Sequence, residues 1–315
     1  MASDQNMDFL AYRMNVQEFA AFERILGQKI IRANGVYWGQ MRPFFFRPLL
    51  PFQELALISV RPPHRSAWGG CQYAVASGEK GNSFLNFRMF DNSGTYSSGN
   101  LDYNRRRQVK LAARQFTIRP VRDVEEFKQK AYPVYLSFYE RTRYQFATRR
   151  NDRSFFCWWA DQLFQVPKVI LLGGYRKDEL GGISVSLFVE DTLCYLMFFC
   201  NTESLRLYLP DLMVHTVREM AAGRTEVKQV FAGMYNGGGG LDDFYLLRGC
   251  KIVRKPAMLR LNPLANFLAR LCFPKDYGKL LGTLESASSV PVARDAASQD
   301  AGNRKSDSEA TPTRQ

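Results

Sequence analysis

Residues Phe231 to Cys250 read FAGMYNGGGGLDDFYLLRGC, and this stretch decides the fold. The residues Val227 to Ala232 predict a strand that runs into four consecutive glycines, Gly237 to Gly240. An apolar-periodic helix follows, Leu241 to Arg248, and Gly249 stops it. Glycine just past a helix takes the left-handed conformation without steric cost. A strand that opens through a flexible loop onto a helix N-terminus favours a polar or anionic ligand; the same residues also read as a plain glycine-rich turn.

A meander precedes this unit. Lys168 to Tyr175 (KVILLGGY), Gly182 to Val189 and Leu193 to Cys200 predict three strands joined by short turns. Pro210 then stands where a first-turn proline belongs, and Leu212, Met213, Val217, Met220 and Ala221 repeat at helical spacing up to Gly223. From residue 168 the order is strand, strand, strand, helix, strand, helix, strand. A meander followed by alternating helix and strand predicts a mixed sheet with helices on its faces. Upstream, Asp123 and Glu126 have the spacing of a capping box, and Ser154 to Leu163 (SFFCWWADQL) predicts another helix.

The segments LDYNRRRQVKLAARQFTIRPV, YPVYLSFYERTRY, ELGGISVSLFVEDTLCYLMFFC and FAGMYNGGGGLDDFYLLRGC, followed by LRLNP, form an ordered set. Through them residues 101–263 resemble the FemAB-like branch of the GNAT acyltransferase superfamily, including BioF2-type acetyltransferase domains. The resemblance implies an α+β fold: a GNAT-like mixed sheet flanked by helices, with a second, truncated GNAT-like lobe at the N-terminus. It divides the chain into that degenerate lobe (1–118), the acyltransferase domain (119–281) and a tail (282–315). The tail is rich in Ser, Ala and charge and poor in large apolar residues, so it is expected to be disordered.

Composition bounds the function. The formal net charge is +13, and the tail is slightly acidic, so the body holds the whole excess. No stretch is apolar enough for long enough to span a bilayer, and the N-terminus lacks the apolar core of a signal peptide, so a cytoplasmic location is expected. The six cysteines are scattered without paired metal spacing, and His64 and His215 are the only histidines, which excludes a histidine-rich metal site. His215 lies among apolar helix residues and is read as a packed histidine rather than a base.

The resemblance implies a bacterial-type N-acyltransferase that moves an acyl group, acetyl in the first instance, from a thioester donor to an amine. One alternative is aminoacyl-tRNA-dependent transfer to a cell-wall precursor. Another is an inactive GNAT fold acting as a binding module. In the superfamily an amine attacks the acyl carbon directly and backbone N–H groups beside a splayed strand hold the oxyanion, so no catalytic triad is expected. Tyr245, four residues before Gly249, matches the leaving-group acid of many members. Glu203 and Glu140 are the candidate bases. The donor, acyl-CoA, would meet Phe198, Phe199 and Asn201 at the end of the third meander strand and Gly233, Asn236, Gly237 and Gly238 along the glycine loop. One departure bears on that donor. The Q/R-x-x-G-x-G/A loop of acetyl-CoA enzymes corresponds to CNTESLRLYLPDLM, residues 200–213, which has no glycine.

Two basic clusters stand out. In the helix Asn104 to Phe116, Arg106, Lys110 and Arg114 share one face. Between the first two helices of the acyltransferase unit, Arg141, Arg143, Arg149, Arg150 and Arg153 interleave with Tyr144 and Phe146. Clustered arginines with aromatics suit anions, so Arg141, Arg143, Tyr144 and Arg149 are assigned to an anionic, amine-bearing acceptor. A basic body also suits tRNA or peripheral contact with a membrane surface.

Overall fold

The computed structural model describes residues 9–90, 93–142, 145–235, 237 and 239–283, so the tail expected to be disordered lies outside the described residues from 284 onward. β1 (Arg13–Met14) leads into α1 (Val16–Ile25). The strands β2 (Ile30–Ala33), β3 (Val36–Arg42), β4 (Phe45–Pro48), β5 (Glu54–Leu55), β6 (Gly70–Val75) and β7 (Ser83–Phe90) follow. Next come α2 (Tyr103–Ala113), β8 (Thr117–Pro120), α3 (Val124–Thr142) and α4 (Arg153–Phe164). The meander is β9 (Val169–Arg176), β10 (Glu179–Val189) and β11 (Thr192–Cys200). The chain then forms α5 (Thr202–Arg206), α6 (Leu209–Ala221), β12 (Gln229–Met234), α7 (Gly240–Leu246), β13 (Lys251–Leu261), α8 (Pro263–Cys272) and α9 (Pro274–Leu281). From residue 168 the predicted order of elements is observed, with α5, α8 and α9 as added helices.

Thirteen strands of the described residues join one mixed sheet, in the order β2-β3-β4-β6-β13-β7-β12-β11-β10-β9-β8, with β1 beside β10 and β5 beside β6. The sheet runs without a break from the N-terminal strands to the meander. Its continuity comes from β13, which pairs antiparallel with β6 on one side and β7 on the other. The last strand is thus built into the N-terminal part, and the described residues form one compact unit.

Period-2 alternation places the core on both faces. Leu171, Ile183, Val185, Leu187 and Phe199 point towards α3 and α4, where Phe127, Tyr135, Phe156 and Trp159 are buried. Ile170, Leu172, Phe188, Leu193 and Tyr195 point the other way, under Met213, Val214 and Val217 of α6 and Tyr245 of α7. Each such side chain, fully buried, stabilises the fold by about 1.5–3 kcal/mol. Asp123 caps α3 by accepting from the Glu126 N–H at 2.6 Å. The Glu126 carboxylate turns instead to Lys130 at 3.1 Å, so only half of the predicted capping box is made.

A buried carboxylate ties the helices of the second face together. Asp211, in the first turn of α6, meets Arg105 of α2 at 3.2 Å and Arg248, just past α7, at 2.8 Å. His215 is buried between Tyr96, at 2.7 Å from Nδ1, and Glu219, at 3.2 Å from Nε2. Burial lowers its pKa, so at neutral pH it is a neutral packing residue.

Candidate active site

The site is built where β11 and β12 part. The two strands pair in parallel over three residues, Thr192, Leu193 and Cys194 against Gln229, Val230 and Phe231. Beyond that point each strand carries a bulge. On β11 Leu196 drops out of register, because Val185 faces Met197 while Ser186 faces Tyr195. On β12 Phe231 faces Met89 but Met234 faces Phe87, which leaves one extra residue at Ala232–Gly233. Gly233 has φ +97°, which favours glycine, and a Cβ there would lie 2.9 Å from the tip of the Arg88 side chain, which would have to shift. Bulges bend strands and re-aim what they carry. The result is a fork in which the β12-facing edge of Leu196 to Cys200 has no strand partner among the described residues. An unpaired strand edge presents backbone N–H groups to whatever enters the fork.

A cavity of about 230 Å³ lies against the two strands at the mouth of the fork. Cys194 and Leu196 of β11 and Phe231, Gly233 and Met234 of β12 form its floor. Phe19 and Glu23 of α1, with Met41, Phe52 and their neighbours in the N-terminal strands, close it. The sequence determines α1 locally. Asn15 accepts from the Glu18 N–H and Glu18 accepts from the Asn15 N–H, both at 2.9 Å, a complete capping box. Phe19, Ala20 and Phe22 are buried, which turns Glu23 to the cavity.

Glu23 is the one carboxyl in this apolar cavity, half-buried by exposed area. Desolvation pushes its pKa up to about 7, and the charge of Arg150 opposes the rise. Arg150 is held over the Trp159 ring, 4.3 Å from its centroid, and lies 3.4 Å from the Met197 sulfur. A carboxyl that exchanges its proton near neutral pH is suited to general base work. Cys194, in the same wall, has its thiol pushed up to about 12 by burial, so it is not a nucleophile at neutral pH. A second depression of about 170 Å³, between the α4 end and β9, has Tyr12 and Arg122 as its only titratable lining and offers no comparable chemistry.

The residues proposed from sequence fall around this fork rather than in one cluster. Tyr245 is buried beneath the other face of the fork, with its ring 6.1 Å from Tyr195, 6.4 Å from Phe90 and 4.9 Å from the Arg88 guanidinium. Phe198 stacks on Phe244 on that face, whereas Phe199 is fully buried against Tyr135 on the opposite one. Glu203 lies at the surface in an ion pair with Arg176, and Glu140 is exposed on α3; neither lines the cavity. Arg141 donates to the Cys200 carbonyl and the Thr202 hydroxyl, both at 3.1 Å, and so fastens α3 to the end of β11. Arg149 is exposed and stacks on Phe155 at 4.5 Å. Arg143, Tyr144, Asn236 and Gly238 lie outside the described residues, and Gly237 is a half-buried loop residue with φ +95°.

The start of α6 is taken up by structure of its own. Residues 202–206 fold into α5, capped by Asn201, whose side chain accepts from the Ser204 N–H at 2.8 Å. Tyr208 then takes a left-handed turn, φ +63°, and the first turn of α6 holds its own buried carboxylate, Asp211. The N-terminus of α7 is likewise supplied with negative charge by Asp242 and Asp243, and Asp242 is buried against Arg88 at 3.2 Å. Among the described residues no group of His, Cys, Asp or Glu is arranged to hold a metal ion, and no helix is long and apolar enough to cross a membrane.

No family model and no curated protein matches the sequence. Solved structures do match. The chain is similar to FemX, with a TM-score of 0.54 and 11% identity over 81% of this chain and 92% of that one. It is similar to the C-terminal DUF2156 domain of a putative lysylphosphatidylglycerol synthetase from Agrobacterium fabrum, with a TM-score of 0.52 and 9% identity over 84% and 92%. A conserved protein of unknown function from Bacteroides thetaiotaomicron also matches, at a TM-score of 0.43 and 10% identity over 57% of this chain, which spans 62% of that one. The first two show that the chain has a FemX-like mixed α+β fold, and at these identities the likeness is one of fold alone.

Proposed function

We propose that the protein is an N-acyltransferase whose acceptor amine enters the cavity beside Glu23 and whose acyl carbonyl sits in the fork between β11 and β12. The observation that carries this reading is a carboxyl poised near pH 7 in an apolar cavity, where two bulged strands part. Glu23 takes a proton from the ammonium or from the attacking amine. The nitrogen forms its bond to the acyl carbon. The oxyanion meets backbone N–H groups on the unpaired edge of β11. The leaving oxygen or sulfur departs with a proton, for which Tyr245, beneath the same fork, is the candidate donor.

The donor handle is the finer part of the proposal. The helical segment α5 and the buried Asp211 stand where a pyrophosphate loop would bind, and this favours an aminoacyl ester of tRNA over acyl-CoA. The excess positive charge suits a polyanionic donor. The test supplies acetyl-CoA and, separately, a mixture of charged tRNAs to the full chain with a panel of primary amines, and detects new amides by mass spectrometry. Amide formation from either donor, abolished in Glu23→Gln, is the expected result. Transfer that persists unchanged in Glu23→Gln overturns the assignment of the base.

A further inference from the structure

The described part of the chain ends in two helices, α8 and α9, packed on each other. Neither α8 nor α9 contains a buried residue. Yet α8 carries Leu264, Phe267, Leu268 and Leu271 at i, i+3, i+4 and i+7, and these side chains are 66%, 61%, 45% and 67% exposed. That is the pattern of an apolar helix face turned to solvent instead of to a core. The face does not swing free. Arg270 donates to the Tyr277 hydroxyl at 2.9 Å and locks α8 to α9. Buried Gln72 donates to the Leu280 carbonyl at 2.6 Å and anchors α9 to the sheet. Asn262 caps α8 and bonds the backbone of Ala67 and Gly69 on either side of Trp68. Trp68 is 76% exposed. Phe44 is also exposed and adjoins it, because its carbonyl accepts from the Gly70 N–H at 3.0 Å.

The surroundings of this face are basic. Residues 260–281 hold Arg260, Arg270, Lys275 and Lys279 against Asp276 alone, and Arg42 and Arg65 are exposed near Phe44 and Trp68. The last 32 residues carry only Leu284, Val290 and Val292 as large apolar side chains, too few by composition to cover it. A contiguous apolar face of this kind marks an interaction site. An apolar helix face with tryptophan beside it and a basic rim is the combination that lies flat in the headgroup region of an anionic bilayer.

We propose that α8, with Trp68 and Phe44, is a membrane-surface contact for anionic lipid. The β3–β4 hairpin that carries Phe44 also carries Met41, which lines the cavity, so the contact adjoins the cavity rim. The test is flotation of the full chain with vesicles of phosphatidylcholine alone and of phosphatidylcholine with about a third phosphatidylglycerol, with Trp68 fluorescence as a second readout. Binding to the anionic vesicles should exceed binding to the neutral ones by at least tenfold and fall with salt. Trp68 emission should shift to the blue, and the shift should be lost in Trp68→Phe. The double variant Phe267→Ser/Leu271→Ser, made at exposed positions, should fold normally by circular dichroism and lose on the order of 100-fold in vesicle affinity. Two results overturn the proposal. One is no binding of the wild-type chain to either vesicle. The other is a stable wild-type dimer by light scattering that the same double variant converts to monomer, which would make the face a subunit interface.

Discussion

Replacing Glu23 by Gln tests the site without any substrate. In the folded protein burial holds the Glu23 carboxyl at about 7, whereas an ordinary glutamate stands at 4.5. The folded state therefore keeps a proton that the unfolded state releases between those two values. Stability falls as pH rises through that window, because the folded chain binds more protons there. A difference of that size corresponds to about 3 kcal/mol lost between pH 4.5 and pH 8, an upper figure because the side chain is not fully enclosed. Gln has nearly the same shape and never ionises. Glu23→Gln should match the wild type near pH 4.5 to 5 and be more stable by about 2–3 kcal/mol at pH 8. Urea unfolding followed by circular dichroism would show this as a midpoint shift on the order of 1 M at pH 8 that vanishes at pH 5. Activity should move the opposite way. The kcat/KM of the wild type should rise tenfold per pH unit below 7 and level above it, while the variant should lose about 10²- to 10⁴-fold and the pH dependence with it. A stability difference that is the same at both pH values would refute the desolvated carboxyl, and with it the base.

Three further substitutions probe the frame around the site. Asp211→Ala leaves Arg248 buried without its 2.8 Å partner and should cost about 3–5 kcal/mol in denaturant unfolding; a cost near zero would mean that the buried pair contributes nothing net. Gly233→Ala forces a side chain into a left-handed position against Arg88 and should cost about 1–3 kcal/mol while lowering turnover; unchanged turnover would remove the β12 bulge from the mechanism. Tyr245→Phe keeps the ring packed against Phe90 and Tyr195 and should reduce turnover by roughly ten- to a thousand-fold with little change in Tm; equal turnover would leave Tyr245 as packing alone.

The elements from residue 168 onward were readable because their apolar periods are strong and their turns carry Gly, Pro or charge. The fork was readable in position, since it falls between the third meander strand and the strand before the glycines. Its bulges were not, because a one-residue register slip at Leu196 or Gly233 leaves no mark on composition. Glu23, the base we propose, escapes a reading of the sequence for a physical reason. Glu23 looks like a surface glutamate of a short helix until N-terminal strands close over it, and its altered proton affinity belongs to that tertiary burial. The Asn15–Glu18 capping box would have announced α1, though not its cargo. Glu203 drew notice by lying just past β11, but its carboxylate turns outward to Arg176. The outward apolar face of α8 is legible as a period, and only the structure shows that nothing in the described chain covers it.

The placement of β13 sets a timetable for synthesis. β6 and β7 are near neighbours in sequence, yet they meet only through a strand made more than 160 residues after β7 begins, with Ala257 lying between Ala74 and Ser83. A nascent chain that has released both strands therefore waits with two open, hydrogen-bond-hungry edges until residues 251–261 leave the ribosome. Glu23 waits as well, because the far wall of its cavity is Cys194, Leu196, Phe231, Gly233 and Met234, made about 170 to 210 residues after it. A fragment cut near residue 118 would be born with a missing rung, and its natural fate is to borrow one from another molecule.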